Sequence, residues 1–149
     1  MNQPEILIVG AGGMGALFGS ILHENGLKVV LYDTNTEHIR AIQQVGLKIE
    51  GYGGDRTIPI AATSNLSELE SAEIIIFQCK SHGTRQASKA VKPLITQESV
   101  CISFQNGLGN EEVMAEELGE DFVMGGLTAM AGVLLEPGKI RDFSRVPSH

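Results

Sequence analysis

The chain has 149 residues, 42% apolar and 19% charged, which suffices to bury a core without disulfides or metals and argues against a disordered protein. Its formal charge of −7, with eleven scattered Lys and Arg, argues against nucleic acid as a partner, because phosphate-backbone binding needs a concentrated basic surface. No apolar run reaches the ~18 residues of a membrane span, and the start MNQPEIL lacks a basic segment with a small-residue cleavage site, so a cytoplasmic protein away from membranes is expected.

Five short runs rich in Ile and Val are the expected strands: EILIV 5–9, KVVLY 28–32, EIIIF 73–77, SVCIS 99–103 and DFVMG 121–125. Their continuous apolarity fits strands buried on both faces of a parallel sheet. After the first, Met14, Leu17, Phe18, Ile21 and Leu22 keep a helical spacing that ends at Asn25-Gly26. After the second, Thr34 and Glu37 predict a capping box for a helix stopped by Gly46, and His23 and His38 are expected on the solvent faces of these two helices. Residues 47–49 and 57–60 read as a small hairpin-like insertion, and Asn65 with Glu68 as the start of a one-turn helix. Two more helices are expected over 81–95, finishing near Pro93, and over 110–119, whose leading acids suit the positive end of the helix dipole. The segment AMAGVLLEPGKIRDFSR predicts two strands around a Pro137-Gly138 turn, before a frayed VPSH. Cys79 and Cys101 are expected to be reduced, buried strand thiols, and neither has the spacing of a metal site. Strands alternating with helices give an α/β fold, a doubly wound, mostly parallel sheet with helices on both faces.

Gly10, Gly12 and Gly15 form G-x-G-x-x-G directly after a predicted strand and at the mouth of a predicted helix. The first permits the tight turn, the second lets a pyrophosphate approach the backbone, and the third lets helix and strand pack closely. The free N–H groups and dipole of the helix start then favour phosphate. This context makes residues 1–144 a Rossmann-type dinucleotide-binding domain, with 145–149 as a tail. Asp33 ends the second strand, eighteen residues after Gly15, where a carboxylate accepts hydrogen bonds from ribose hydroxyls and repels a 2′-phosphate. Its other reading is a helix N-cap. NAD(H) is the favoured cofactor, with NADP(H) open.

Ligands of such sheets sit outside the carboxyl ends of the strands. Lys80 follows EIIIFQC and Asn106 follows SVCISFQ, so an ammonium and an amide fall there. Taken singly, Lys80 also reads as a solvated strand end, and Asn106-Gly107 as a turn. Together the motifs resemble the ketopantoate reductase family, the 2-dehydropantoate 2-reductases, over essentially the whole chain. ILIVGAGGMGALFGSIL looks like that family's opening, FQCKSHGTRQA like its lysine-bearing strand end, and SFQNGLGNEE like its Asn-Gly-x-Gly motif, the most distinctive of the three. GGLTAMAGVLLEPGKIR is similar to the segment in which a small residue, here Ala131, touches the cofactor. The resemblance implies that Gly10, Ala11, Gly12, Gly13, Met14 and Gly15 bind pyrophosphate and that Lys80 and Asn106 meet the nicotinamide side of the cofactor and the substrate. It implies hydride transfer to a small 2-oxo acid, giving a 2-hydroxy acid, as in pantothenate biosynthesis.

Two departures accompany it. Many members use a basic residue after the second strand to bind NADPH, and here Thr34 stands in YDTNTEH. The family's helical C-terminal domain, with its general-acid lysine, is expected to be absent because the sequence stops at His149. No catalytic residue is therefore expected within this chain, which should be weakly active or inactive alone, and the uncovered face favours a homodimer. A stand-alone module that senses NAD(H) without catalysis is the alternative, and a dehydrogenase acting on sugar acids or β-hydroxy acids is a third.

Overall fold

The computed structural model describes residues 2–144; the tail expected at 145–149, with its frayed VPSH, lies outside them. Four consecutive buried residues make β1 (Ile6–Val9), and the chain turns at the glycines into α1 (Gly13–Glu24). After β2 (Val29–Tyr32) comes α2 (Thr36–Val45), which Gly46 ends with φ 89°. The Thr34–Glu37 box does not form, because the helix starts one residue later than expected: Asn35 is the cap, its side-chain oxygen accepting from the His38 N–H at 3.1 Å. The chain continues through β3 (Leu47–Gly51), β4 (Arg56–Ile58), β5 (Ala61–Thr63), β6 (Ile74–Phe77), α3 (Thr84–Val91), β7 (Val100–Ser103) and α4 (Asn110–Leu118). It closes with β8 (Val123–Gly125), β9 (Gly132–Glu136) and β10 (Lys139–Asp142). Asn65 starts the expected single turn at Leu66–Glu68 by accepting from Ser67 N–H.

Six strands form one wholly parallel sheet in the order β5-β2-β1-β6-β7-β8. The chain builds outward from β1 through β2 to β5, then crosses back to β6 and builds outward the other way. Loops leaving β1 and β6 therefore diverge, and a crevice opens at the carboxyl ends of these neighbours. Helices cover both faces. On one, Leu17 of α1 and Ile39 and Ile42 of α2 pack with Ile8, Leu31 and Ile76; on the other, Val91 of α3 and Met114 of α4 pack with Leu7, Ile75 and Phe77.

The expected hairpin is part of something larger. β3 pairs antiparallel with β4 and parallel with β10, which pairs antiparallel with β9, giving a second sheet ordered β4-β3-β10-β9. Its Ile49 and Ile140 are fully buried and join the core on the α1 side. Helix α1 thus lies between two sheets, and its buried face extends beyond the expected apolar stripe, of which Leu17 is fully buried and Phe18 and Leu22 pack partly buried on the core. Gly15, Ala16, Leu17, Gly19 and Ser20 are buried, whereas Ile21 is 36% exposed. Small residues win because a helix leaving the central strand directly must lie close to the sheet: a Cβ on Gly19 would meet the Leu31 side chain, and one on Gly15 would meet the Gly10 carbonyl oxygen.

Gly15→Ala should therefore destabilise the protein by about 2–3 kcal/mol, since the obstructing atom is backbone. Gly12→Ala, where a Cβ meets nothing within 4 Å, should cost less than about 1 kcal/mol. Urea unfolding of the two variants beside the wild type measures both.

Candidate functional site

The crevice between β1 and β6 encloses about 850 Å³. Its lining comes from the glycine loop, the end of β2 at Tyr32–Thr34, residues 78–83 after β6, Gln105 and Asn106 after β7, and Gly132. A second cleft of about 570 Å³, between the end of α2 and residues 57–61, is lined by no titratable side chain.

Gly10 turns the chain with φ 101°, its Cβ position lying 2.7 Å from the Cys79 Cα, so only glycine fits. Gly12 faces open space, and α1 begins after it with no side chain capping its first turn. Its leading N–H groups are free to bind an anion, aided by the helix dipole. Ala11 between the two glycines is buried, and side chains hold it from both sides. Its N–H donates to Asp33 Oδ2 at 2.7 Å, and its carbonyl lies 2.6 Å from His38 Nε2. Asp33 Oδ1 accepts from Asn35 N–H at 2.9 Å, so Asp33 braces the turn into α2 while Asn35 takes the N-cap place.

The structure corrects the expectation that His38 faces solvent: its ring is fully buried, and the Gly138 N–H donates to Nδ1 at 2.9 Å. The β9–β10 turn covers the first turn of α2 there, a long-range contact that helical spacing does not register. His23 stays partly exposed.

Lys80 and Asn106 stand exposed on the opposite wall, and among the described residues Lys80 makes no ion pair. A polar network behind them ties β6 to β7. The Asn106 carbonyl accepts from Ser81 Oγ at 2.8 Å and from Asn110 Nδ2 at 3.2 Å. Thr84 Oγ1 donates to Asn110 Oδ1 at 3.0 Å and accepts from Gln105 Nε2, which also donates to the Cys79 carbonyl, each at 2.8 Å. With its carbonyl fixed, Asn106 lies exposed on the crevice lining, and Gly107 at φ 103° completes the turn.

Cys79 departs from the buried-strand expectation. Strand β6 ends at Phe77, so Cys79 lies beyond it, half-buried on the crevice lining, where burial foremost raises its thiol pKa. Cys101 is buried in β7, and burial pushes its thiol up to about 11. Of the expected residues, Gly10, Gly12, Gly13, Met14, Asp33, Lys80 and Asn106 line one crevice. Ala11 and Gly15 are buried behind it. Ala131 is exposed and outside the lining, its N–H donating to Ser144 Oγ at 3.0 Å; the next residue, Gly132, takes the place beside the loop. Ser81, His82, Gln78 and Gln105 line it as well. The two glutamines had a sequence signal, since each interrupts an apolar strand end. The buried Gln78 Nε2 has no hydrogen-bond partner among the described residues. No cluster of His, Cys, Asp or Glu suited to a metal occurs among them either.

The family model described as Ketopantoate reductase PanE/ApbA matches residues 6–145. The 2-dehydropantoate 2-reductase of Pyrococcus abyssi is 35% identical over 137 residues, covering 92% of this chain and 44% of the relative; that of Lactococcus lactis is 31% identical over 141 residues, covering 93% and 45%. Among solved structures, a PanE/ApbA family ketopantoate reductase from Ralstonia eutropha superposes with a TM-score of 0.87 at 29% identity, covering 94% of this chain and 46% of that one. D-mandelate dehydrogenase in its ternary structure with NADH and anilino(oxo)acetate gives 0.84 at 26%, covering 93% and 45%. The chain thus spans less than half the length of each of these four relatives. A match over nearly every described residue, on a six-stranded parallel sheet flanked by helices, places this chain in the ketopantoate reductase family, as its N-terminal Rossmann-type part.

Proposed function

We propose that the chain is the nicotinamide-dinucleotide-binding part of a ketopantoate-reductase-like oxidoreductase, reducing the ketone of a 2-oxo acid to a 2-hydroxy acid. One observation carries the reading: an uncapped helix start with open backbone at Gly12 shares a crevice with Lys80 and Asn106. The crevice fits such a cofactor in size and donor set, about 850 Å³ with free N–H groups at one end and polar side chains at the other. When bound, the reduced nicotinamide supplies the hydride.

The chain's own residues hold and orient. Gly12, Gly13 and Met14 present the helix start to the pyrophosphate. Asp33 keeps acceptor capacity for ribose hydroxyls beyond its two backbone bonds, and its charge opposes a 2′-phosphate, which favours NAD(H) over NADP(H). Lys80 Nζ offers positive charge, and the Asn106 amide an N–H, to the carboxylate and ketone oxygens of a 2-oxo acid. The general acid is assigned to the part of the family's length that this chain does not span. Exposed Leu108, Leu127 and Phe143 suit further packing, with that part or with a second copy. D-mandelate dehydrogenase, solved with NADH and an oxo acid, supports the choice of cofactor and substrate class.

Calorimetric titration with NADH and NADPH, each followed by ketopantoate, tests the reading. We expect tighter binding of NADH and further binding of ketopantoate, with dinucleotide affinity at least about tenfold lower in Gly12→Ala, where a methyl meets the pyrophosphate. Dinucleotide binding without a response to ketopantoate would instead fit an NAD(H)-sensing module, and binding of neither cofactor would refute both.

Thr34→Arg, adding a cation beside Asp33 on the crevice lining, should shift the NADPH-to-NADH affinity ratio about tenfold towards NADPH. The Cys79 thiol, held protonated above the ordinary range by burial, should react slowly with iodoacetamide at neutral pH. The rate should climb as pH rises through the thiol's raised pKa and fall when NADH fills the crevice. Mass spectrometry of the alkylated protein reads both effects.

A further inference from the structure

We propose that His38 is a positioning residue for the glycine loop, clamping Ala11 through a single neutral tautomer and linking the loop to the β9–β10 turn; its functional meaning rests on the dinucleotide reading above. The tautomer follows from donor chemistry. The Gly138 N–H can only donate, so Nδ1, 2.9 Å away, carries the bare lone pair. Nε2 therefore carries the hydrogen and donates to the Ala11 carbonyl at 2.6 Å. The ring is fully buried, so water cannot replace either partner.

Among the three residues of the tight turn, Ala11 has its N–H and its carbonyl both taken by side chains, Asp33 Oδ2 and the imidazole. The peptide joining Ala11 to Gly12 is trans, so its carbonyl and N–H point in opposite directions. Holding the Ala11 carbonyl on the buried ring turns the Gly12 N–H away from it, and Gly12 is the loop residue beside which a Cβ meets nothing. His38 thus sets the orientation of the peptide whose other edge must meet the anion. A ring that merely filled space would need neither nitrogen.

Three replacements separate positioning from filling. Phenylalanine keeps the volume and loses both bonds. Asparagine keeps an acceptor near Nδ1 but cannot reach Ala11. Glutamine keeps a donor near Nε2. We expect NADH affinity in His38→Gln to stay within about threefold of wild type, and to fall about tenfold or more in His38→Asn and His38→Phe. Wild-type affinity in all three folded variants, or a loss in His38→Gln equal to that in His38→Asn, would overturn the proposal. On the unsubstituted protein, imidazole ¹⁵N shifts should show hydrogen on Nε2 alone; hydrogen on Nδ1 would sink it without any variant. Should the wild type bind neither dinucleotide, the functional reading fails while the clamp is still judged by hydrogen exchange at the Gly12 amide. Faster exchange in His38→Asn than in His38→Gln supports it, and equal rates refute it.

Discussion

The Cα of Gly15 rests against the carbonyl oxygen of Gly10, an approach that no side chain permits. Because helix and central strand touch at backbone level there, α1 starts directly over the crevice and its first N–H groups point where an anion can sit. The same closeness leaves the helix's far side within reach of a second layer. Gly13 and Gly132 meet there backbone to backbone, so β9, and through it the whole small sheet, stacks on α1 instead of standing off in solvent. A single bulky residue in this run would separate layers that share one core.

Satisfying buried polar groups is the second constraint, and it organises both walls of the crevice. On one, the Ala11 N–H is taken up by Asp33 and the Ala11 carbonyl by His38. On the other, Thr84, Gln105 and Asn110 pass hydrogen bonds from the Cys79 carbonyl to that of Asn106. Each network spends its polar atoms inward and leaves one kind of group facing out, backbone N–H at the glycine loop and side chains at Lys80 and Asn106. In a low-dielectric setting such linked bonds fix geometry more firmly than isolated ones, because breaking one strands its neighbour.

Local pattern made the parallel sheet legible: β1, β2, β6, β7 and β8 follow the Ile- and Val-rich runs. The glycine spacing located the crevice for the same local reason. What escaped depends on distant partners. β5 is the sequence AAT, whose alanines have little strand preference, and it forms because the edge of β2 is open to it. The parallel pairing of β3 with β10 sets Lys48 opposite Lys139, and nothing in either segment announces the other. His38 read as solvated because the turn that buries it is about a hundred residues away in sequence, and no local pattern carries that contact.

The β3–β10 pairing also orders events in time. A chain emerging from the ribosome completes β1 through β8 with β3 paired only to β4, still lacking β10, and the outer side of α1 uncovered. Contacts so distant in sequence carry a large loop-closure cost and form late. Gly132 on the crevice lining and Gly138 against the buried imidazole arrive with that last hairpin, so the nascent chain passes through a stage in which its parallel sheet is assembled and its crevice is unfinished. The open edge of β3 is the surface a chaperone would meet in the interval.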